Sequence, residues 1–313
     1  WLCMGTLGEI SRMISTIYGS FLTFASLDKG KESAPGQIPA ETLRNIYRID
    51  EIKPGFKLYG VIGKPISKSK GYIVHNSLFK KEKLNNIYLK FEVNDLEKFM
   101  KNFSSLLAGF SVTMPHKENI LKFIGVIDPV AKKIGAVNTV VNNNGKLTGY
   151  NTDIIGAIKA IEVKTEIKDK NVTILGAGGA ARAIAVGVLE KQGKLTILNR
   201  TVEKAEKLSK EFNCNFGSLQ DFEKIKTDIL INTTSIGMHP EINGTPINTK
   251  FVKNIIVLDA IYSQEKTKLL QEAEKNNCTI ISGIEMYINQ AAGQFKIWTG
   301  KEADINFMRN IIK

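Results

Sequence analysis

Val172-Thr173-Ile174-Leu175-Gly176-Ala177-Gly178-Gly179-Ala180-Ala181 reads as a buried strand running straight into a glycine turn. From Ala180 to Lys191 the apolar positions recur at helical spacing, so the glycines join a strand to a helix. G-x-G-x-x-G/A in that setting is the fingerprint of a dinucleotide-binding unit. Gly176 allows the tight turn, Gly178 lets the backbone approach a pyrophosphate, and the small Ala181 permits close helix-to-strand packing. Unpaired N–H groups where the helix starts, at Gly179 and Ala180, favour phosphates. The next strand, 195–198, ends on Asn199-Arg200-Thr201. An NAD-binding domain places Asp or Glu there to hold the ribose hydroxyls, and a carboxylate repels a 2′-phosphate. The Arg200 fork binds such a phosphate, and Lys204 adds a charge one helical turn on. The expected cofactor is NADP, held by Gly176, Ala177, Gly178, Gly179, Ala180, Asn199, Arg200, Thr201 and Lys204. A flexible turn and solvated surface cations are the plainer readings of the same residues.

Outward from that turn, strands at 229–231, 255–258 and 279–281 complete a Rossmann domain over 154–284, entered through a helical stretch at 156–161. Before it, strands at 58–62, 87–93, 109–113 and 137–141 alternate with helices at 74–82, 96–103 and 129–134. That alternation predicts a second α/β domain with a mostly parallel sheet over 57–153, completed by about 285–313 through a helix at 286–298. Residues 1–50 read differently. Apolar strands at 2–4 and 21–26 and helices at 9–18 and 40–47 make two β/α units without the rest of a sheet. Such a remnant of a parallel barrel cannot bury both faces of its strands alone. Residues 50–56, with Pro54 and Gly55, read as a linker, and the opening Trp1 suggests a fragment.

Composition narrows the classes. The 313 residues are 43% hydrophobic and 24% charged, ordinary for a two-domain globular chain. The net charge of +12 comes from scattered lysines with no basic run interleaved with aromatics, so no nucleic-acid partner is expected. A positive field does help collect anionic small molecules. Cys3, Cys214 and Cys278 form no C-x-x-C pair, which points to no metal site and to a reducing compartment. No apolar run is long enough to span a bilayer, and no membrane partner is expected.

Three groups remain: Ser111-Val112-Thr113-Met114-Pro115-His116-Lys117, Gly135-Ala136-Val137-Asn138-Thr139 and Gly149-Tyr150-Asn151-Thr152-Asp153. All lie at or just after expected strand ends, where ligands bind parallel sheets. Their hydroxyl, amide, ammonium and carboxylate groups suit a small polyhydroxylated acid, although each also reads as a turn or helix-cap residue. With Lys64-Pro65, Ser67 to Ser69, Asn232-Thr233-Thr234, Gly237-Met238 and Gln290-Ala291-Ala292, these groups make residues 57–313 resemble the shikimate dehydrogenase family. The resemblance implies NADPH-dependent reduction of 3-dehydroshikimate to shikimate, with Lys117 and Asp153 as the catalytic pair. It also implies that Ser69, Thr113, Asn138 and Gln290 hold the substrate. Tyr262 is counted among the substrate residues and, with Thr234, Met238 and Gly283, among those lining the nicotinamide pocket.

Two positions depart from the family pattern. Gly71 stands where a second carboxylate-binding serine is usual, a loss of roughly 1.5–3 kcal/mol if nothing replaces the hydroxyl. The opened space beside C1 makes quinate the alternative substrate. Ser111 stands where the family often has Asn. The leading segment has its own resemblance. Met4-Gly5, Ser11-Arg12, Gly19-Ser20, Thr23-Phe24-Ala25-Ser26 and Ser33-Ala34-Pro35-Gly36-Gln37 resemble the end of type I 3-dehydroquinate dehydratase. The resemblance makes Arg12, Ser33 and Gln37 substrate-binding residues of that enzyme and puts its Schiff-base lysine and histidine upstream. No dehydratase activity is therefore expected of this chain. A natural fusion to the dehydratase is expected, in the cytoplasm or, for a plant-like source, the plastid.

Overall fold

The computed structural model describes residues 2–5, 8–15 and 17–312. The chain forms two compact units, one of Trp1–Ile127, Val137–Gly149 and Phe295–Lys313, the other of Asp128–Ala136 and Tyr150–Gln294. In chain order the elements to the end of the first long stretch are α1 (Glu9–Ile14), α2 (Ala40–Asn45), β1 (Lys57–Gly63), α3 (Gly71–Lys81), β2 (Asn86–Glu92), α4 (Leu96–Phe103), β3 (Gly109–Val112) and β4 (Val126–Ile127). Then follow α5 (Pro129–Ile134), β5 (Thr139–Asn143) and β6 (Lys146–Tyr150).

The first unit's sheet, as far as the described residues show it, runs β2-β1-β3-β5-β6-β4. Strands β2, β1 and β3 are parallel, and β5 returns antiparallel to β3 with Ser111 opposite Thr139. Thus Asn138 lies before its strand rather than at a strand end, contrary to expectation. Because β5 runs backwards, its beginning still reaches the edge where β3 ends, and Val112 N–H donates to Asn138 O at 2.8 Å. Beneath the sheet, the Tyr59 ring packs tilted against both Phe79 and Trp298, and Trp298 Nε1 donates to Val140 O at 3.0 Å.

The second unit contains α5 and continues with α6 (Asp153–Glu162), β7 (Asn171–Leu175), α7 (Gly179–Glu190), β8 (Lys194–Leu198), α8 (Val202–Phe212), β9 (Asn215–Gly217), β10 (Ile229–Asn232), β11 (Ile256–Asp259), α9 (Lys268–Lys275) and β12 (Thr279–Ile281). Helix α10 (Gly283–Thr299) contributes to both units, and α11 (Ile305–Ile312) to the first. Strand order is β12-β11-β10-β7-β8-β9, with every registered pair parallel. The chain leaves β7 to one side and returns to the other at β10, so a switch point lies between them, where doubly wound sheets bind nucleotides. Residues of β7, β8 and β10 are buried almost throughout, which fits a sheet covered by helices on both faces.

The leading segment departs from expectation. Residues 2–4 and 21–26 are not strands, and its helices stop at Ile14 and Asn45 rather than at 18 and 47. The only pairing described there is the bridge between Ser26 and Pro39. A parallel strand needs a neighbour along its length to satisfy its N–H and C=O groups, and among the described residues this segment is paired only at Ser26. Phe21 is accordingly fully exposed. The expected linker is pinned instead: Lys53 N–H donates to Asn85 Oδ1 at 2.9 Å, Asn85 Nδ2 returns to Lys53 O at 3.0 Å, and Ile52 is buried.

Candidate active site

The glycine turn after β7 borders a cleft of about 450 Å³ lined by Gly176, Ala177, Gly178, Asn199, Arg200, Leu219, 233–236, Met238 and 239–241. Gly176 has φ +109, and a Cβ built on it would lie 2.5 Å from Thr233 Oγ1. Only glycine closes this turn without displacing Thr233. At Gly178 the situation is reversed, since nothing lies within 4 Å of a built Cβ. The backbone there is open to a large group, as a bound pyrophosphate requires. Gly179 and Ala180 form the first turn of α7.

Arg200 is exposed and faces the cleft. Its turn is held by Asn199, whose N–H donates to Gly217 O at 3.2 Å and whose Nδ2 donates to Thr201 O at 2.9 Å. Thr201 caps the backbone of α8 and Lys204 lies exposed in its first turn; neither belongs to the cleft lining described above.

Opposite the glycines, a buried polar network shapes the loop after β10. Asn232 Oδ1 accepts from Thr234 N (3.0 Å) and Thr234 Oγ1 (2.8 Å), while Asn232 Nδ2 donates to Asp259 Oδ1 at 3.0 Å. Asp259 also accepts from Thr267 Oγ1 at 2.6 Å and from Ile261 N at 3.1 Å. Burial pushes the Asp259 carboxyl above its ordinary range, and these three donors partly offset that. Gly283 belongs to this scaffold: a Cβ there would lie 2.4 Å from Ile261 O and 2.6 Å from Asp259 O. Its glycine identity has a packing reason, and it is not among the cleft residues. Thr233, Ser235, Ile236 and 239–241 do line the cleft but were not expected to. Their position after the strand across the switch point was the available signal.

In the first unit, the loops after β1 and β3 lie together. A Cβ on Gly63 would come within 2.3 Å of Thr113 Cγ2, and Lys64 N–H donates to Met114 O at 2.9 Å. Thr113 is half-buried, and its carbonyl accepts from His116 N, which starts the turn carrying Lys117. Lys117 O accepts from Val137 N at 2.8 Å, next to the buried Asn138. Ser69 joins this side through Gly71, whose N–H donates to Ser69 Oγ at 3.3 Å. The unit therefore brings Ser69, Thr113, Lys117 and Asn138 onto neighbouring loops.

The second unit brings Asp153, Tyr262 and Gln290 together. Asp153 starts α6, is 5% exposed, and its N–H donates to Asn151 Oδ1 at 3.0 Å. Tyr262 stacks on Tyr287 at 4.3 Å; burial, with the Asp153 charge nearby, pushes its phenol up to about 12. Gln290 lies against α6, 2.9 Å from the position of a Cβ on Gly156, one turn beyond Asp153.

A glycine cradle at the switch point of a doubly wound parallel sheet, with an arginine where a ribose carboxylate would stand, defines an NADP-binding α/β protein. Family models carry this further. One described as shikimate dehydrogenase substrate binding domain matches residues 61–140, shikimate / quinate 5-dehydrogenase matches 158–259, and shikimate 5'-dehydrogenase C-terminal domain matches 283–313. Type I 3-dehydroquinase matches residues 1–54. A shikimate dehydrogenase (NADP(+)) of Methanocaldococcus jannaschii is 45% identical over 82% of this chain and 96% of its own length. The bifunctional 3-dehydroquinate dehydratase/shikimate dehydrogenase, chloroplastic, of Arabidopsis thaliana is 42% identical over 96% of this chain, which spans 54% of that relative. A crystal structure of shikimate dehydrogenase in complex with NADP+ superposes with TM-score 0.77 at 42% identity, covering 83% of this chain and 96% of the other. The chain belongs to the shikimate dehydrogenase family, preceded by a short type I dehydroquinase segment.

Proposed function

We propose that the chain reduces 3-dehydroshikimate to shikimate reversibly with NADPH. The observation that carries this is the pairing of family membership with Lys117 and Asp153, each at a structured loop or helix start. When bound, NADPH supplies the hydride. Gly176, Ala177, Gly178 and the start of α7 take its pyrophosphate, Arg200 the 2′-phosphate with Lys204 adding charge, and Thr234 and Met238 border the nicotinamide. Asn199 and Thr201 hold the turn that presents Arg200. Gly283 keeps the strand end behind that pocket in place.

The Lys117 ammonium donates a proton to the developing alkoxide and stabilises its charge. Asp153 accepts from a neighbouring substrate hydroxyl. Ser69, Thr113 and Asn138 bind the carboxylate and ring hydroxyls, as does Gln290. Tyr262 donates a hydrogen bond and shields the site from water.

Initial rates with NADP and NAD against shikimate and quinate test the reading. NADP with shikimate is expected to be the best pair, and absence of turnover in all four combinations refutes it. Lys117→Ala is expected to lower kcat by roughly 10²–10⁴ with NADP binding unchanged. Gly71 supports quinate as a second reading, and equal or better kcat/KM on quinate would establish it. The match of residues 1–54 supports a natural fusion to a dehydratase; no dehydratase turnover is proposed for this chain itself. Conversion of 3-dehydroquinate by the purified chain would refute that last point. Three cysteines far apart in sequence with no C-x-x-C pair support a reducing compartment such as the cytoplasm or a plastid.

A further inference from the structure

The two departures from the family pattern, Gly71 and Ser111, meet at one side chain that no motif singled out. A Cβ built on Gly71 would lie 3.2 Å from both Cε1 and the hydroxyl oxygen of Tyr88, and 3.4 Å from Ser69 Oγ. The Tyr88 hydroxyl donates to Ser111 Oγ at 2.7 Å. Tyr88 comes from the middle of β2, and its backbone is locked on both sides by Asn76. Asn76 Nδ2 donates to Tyr88 O at 2.9 Å, and Tyr88 N donates to Asn76 Oδ1 at 2.8 Å. The ring is 1% exposed and stacks on His75 at 4.6 Å. It has little freedom to withdraw.

These distances change the meaning of Gly71. Glycine there does not leave a vacancy, because the tyrosine ring and hydroxyl border the place where the serine side chain would begin. A residue with a Cβ would press on a ring that is held at both its backbone and its hydroxyl. We propose that Tyr88 is a specificity-determining residue: its phenol, anchored by Ser111, closes the space that Gly71 opens beside the carboxylate-bearing carbon and so disfavours a substrate with an extra substituent there. The role rests on the dehydrogenase function proposed above. On that basis the chain prefers shikimate, planar at C1, over quinate, which is tetrahedral with an added hydroxyl.

The test is the ratio of kcat/KM for quinate to that for shikimate, measured with NADP on the parent chain and on Tyr88→Phe, Ser111→Ala and Tyr88→Leu. Tyr88→Phe removes one oxygen and is expected to raise the ratio about tenfold, the low end of what one small group gives in a pocket. Ser111→Ala, which releases the phenol, is expected to move it the same way by less, and Tyr88→Leu by more. Gly71→Ser is expected to impair both substrates, and the double variant Gly71→Ser/Tyr88→Phe to recover shikimate turnover. NADP KM stays unchanged in each. A purely structural role lowers activity on both acids together and leaves the ratio fixed, which would overturn the proposal, as would an improved shikimate rate in Gly71→Ser alone. If Tyr88→Phe does not fold, Ser111→Ala decides by the same ratio. Inactivity of the parent chain on both acids would overturn the dehydrogenase function itself, whereas an active parent with an unmoved ratio overturns only the role of Tyr88.

Discussion

Replacing Arg200 by alanine should separate NADPH from NADH. Arg200 is exposed at the end of β8 on a turn fixed by Asn199, so its partner is bound in a water-like dielectric rather than in the interior. Two unit charges about 4 Å apart in water attract by roughly 1 kcal/mol. A phosphate monoester near pH 7 carries nearly two, which makes the loss on Arg200→Ala about 2 kcal/mol. At about 1.4 kcal/mol per factor of ten, the Kd for NADPH rises roughly thirtyfold. NADH lacks the 2′-phosphate, so its Kd should change by less than about twofold, a direct consequence of the same charge count. Titration of the chain with each nucleotide gives both constants, and repetition at high salt should shrink the NADPH effect because exposed charges are screened. Equal losses for the two nucleotides would mean that Arg200 supports the fold of the cleft rather than reading the phosphate. No loss for either would remove it from the site.

Gly176→Ala should abolish tight NADPH binding and lower stability by about 2–3 kcal/mol, since it combines a forbidden backbone region with a clash. Thr233 Oγ1 cannot move aside freely, because it donates to Leu175 O at 2.7 Å; an unchanged melting temperature with normal binding would refute this. Two buried or half-buried carboxylates should bend the stability profile in opposite directions. Asn171 donates its backbone N–H at 2.7 Å and its side chain at 2.8 Å to Asp228, lowering that carboxyl below 3.8; its contribution is present above that value and lost as pH falls through the lowered one. Asp259 is raised, so its contribution is present below 3.8 and lost as pH rises through the raised value. Denaturant titrations across pH should show a shallower acid loss in Asp228→Asn and a shallower loss on raising pH in Asp259→Asn. A parent-like profile in either variant would refute its assignment.

Elements with local boundary signals were legible in the sequence. Helix α5 carries its whole definition within eight residues: Asp128 accepts from Val130 N and Ala131 N, Pro129 opens the helix, and Gly135 ends it at φ 70. Helix α4 is capped in the same way by Asp95. Helices α8 and α9 each bury only three residues and are rich in lysine and glutamate, so no apolar run announces them. The hairpin joining β5 and β6 has its signal in Asn144-Gly145, both at positive φ, although the expected strands include none at 146–150. In the site, the glycine turn, Arg200 and the loops bearing Thr113 and Lys117 could be read because short motifs carry them. Tyr88 could not, since a tyrosine inside a strand is ordinary until the fold sets its hydroxyl beside Gly71 and Ser111.

The leading segment shows the same division between local and long-range information, and it reaches the substrate side through α3. Residues in its first half expose Tyr18, Phe21, Leu22 and Phe24, whereas Leu43, Tyr47 and Ile52 are buried. Tyr47, 1% exposed, stacks at 5.6 Å on Tyr72, the neighbour of Gly71 at the start of α3. From the other side Lys90 Nζ sits 4.7 Å over the Tyr72 ring, and Arg48 and Lys80 converge on Glu51. The end of the dehydroquinase-like segment thus braces the helix start that carries Gly71. Truncating a buried aromatic costs about 3–5 kcal/mol, so Tyr47→Ala should destabilise the chain by that order, while Phe21→Ser should stay within about 0.5 kcal/mol. Loosening α3 at Tyr72 should also raise the KM for shikimate without moving that for NADPH. A Tyr47→Ala chain that melts like the parent and keeps its shikimate KM would show that the segment is a passive appendage and that α3 holds Gly71 against Tyr88 unaided.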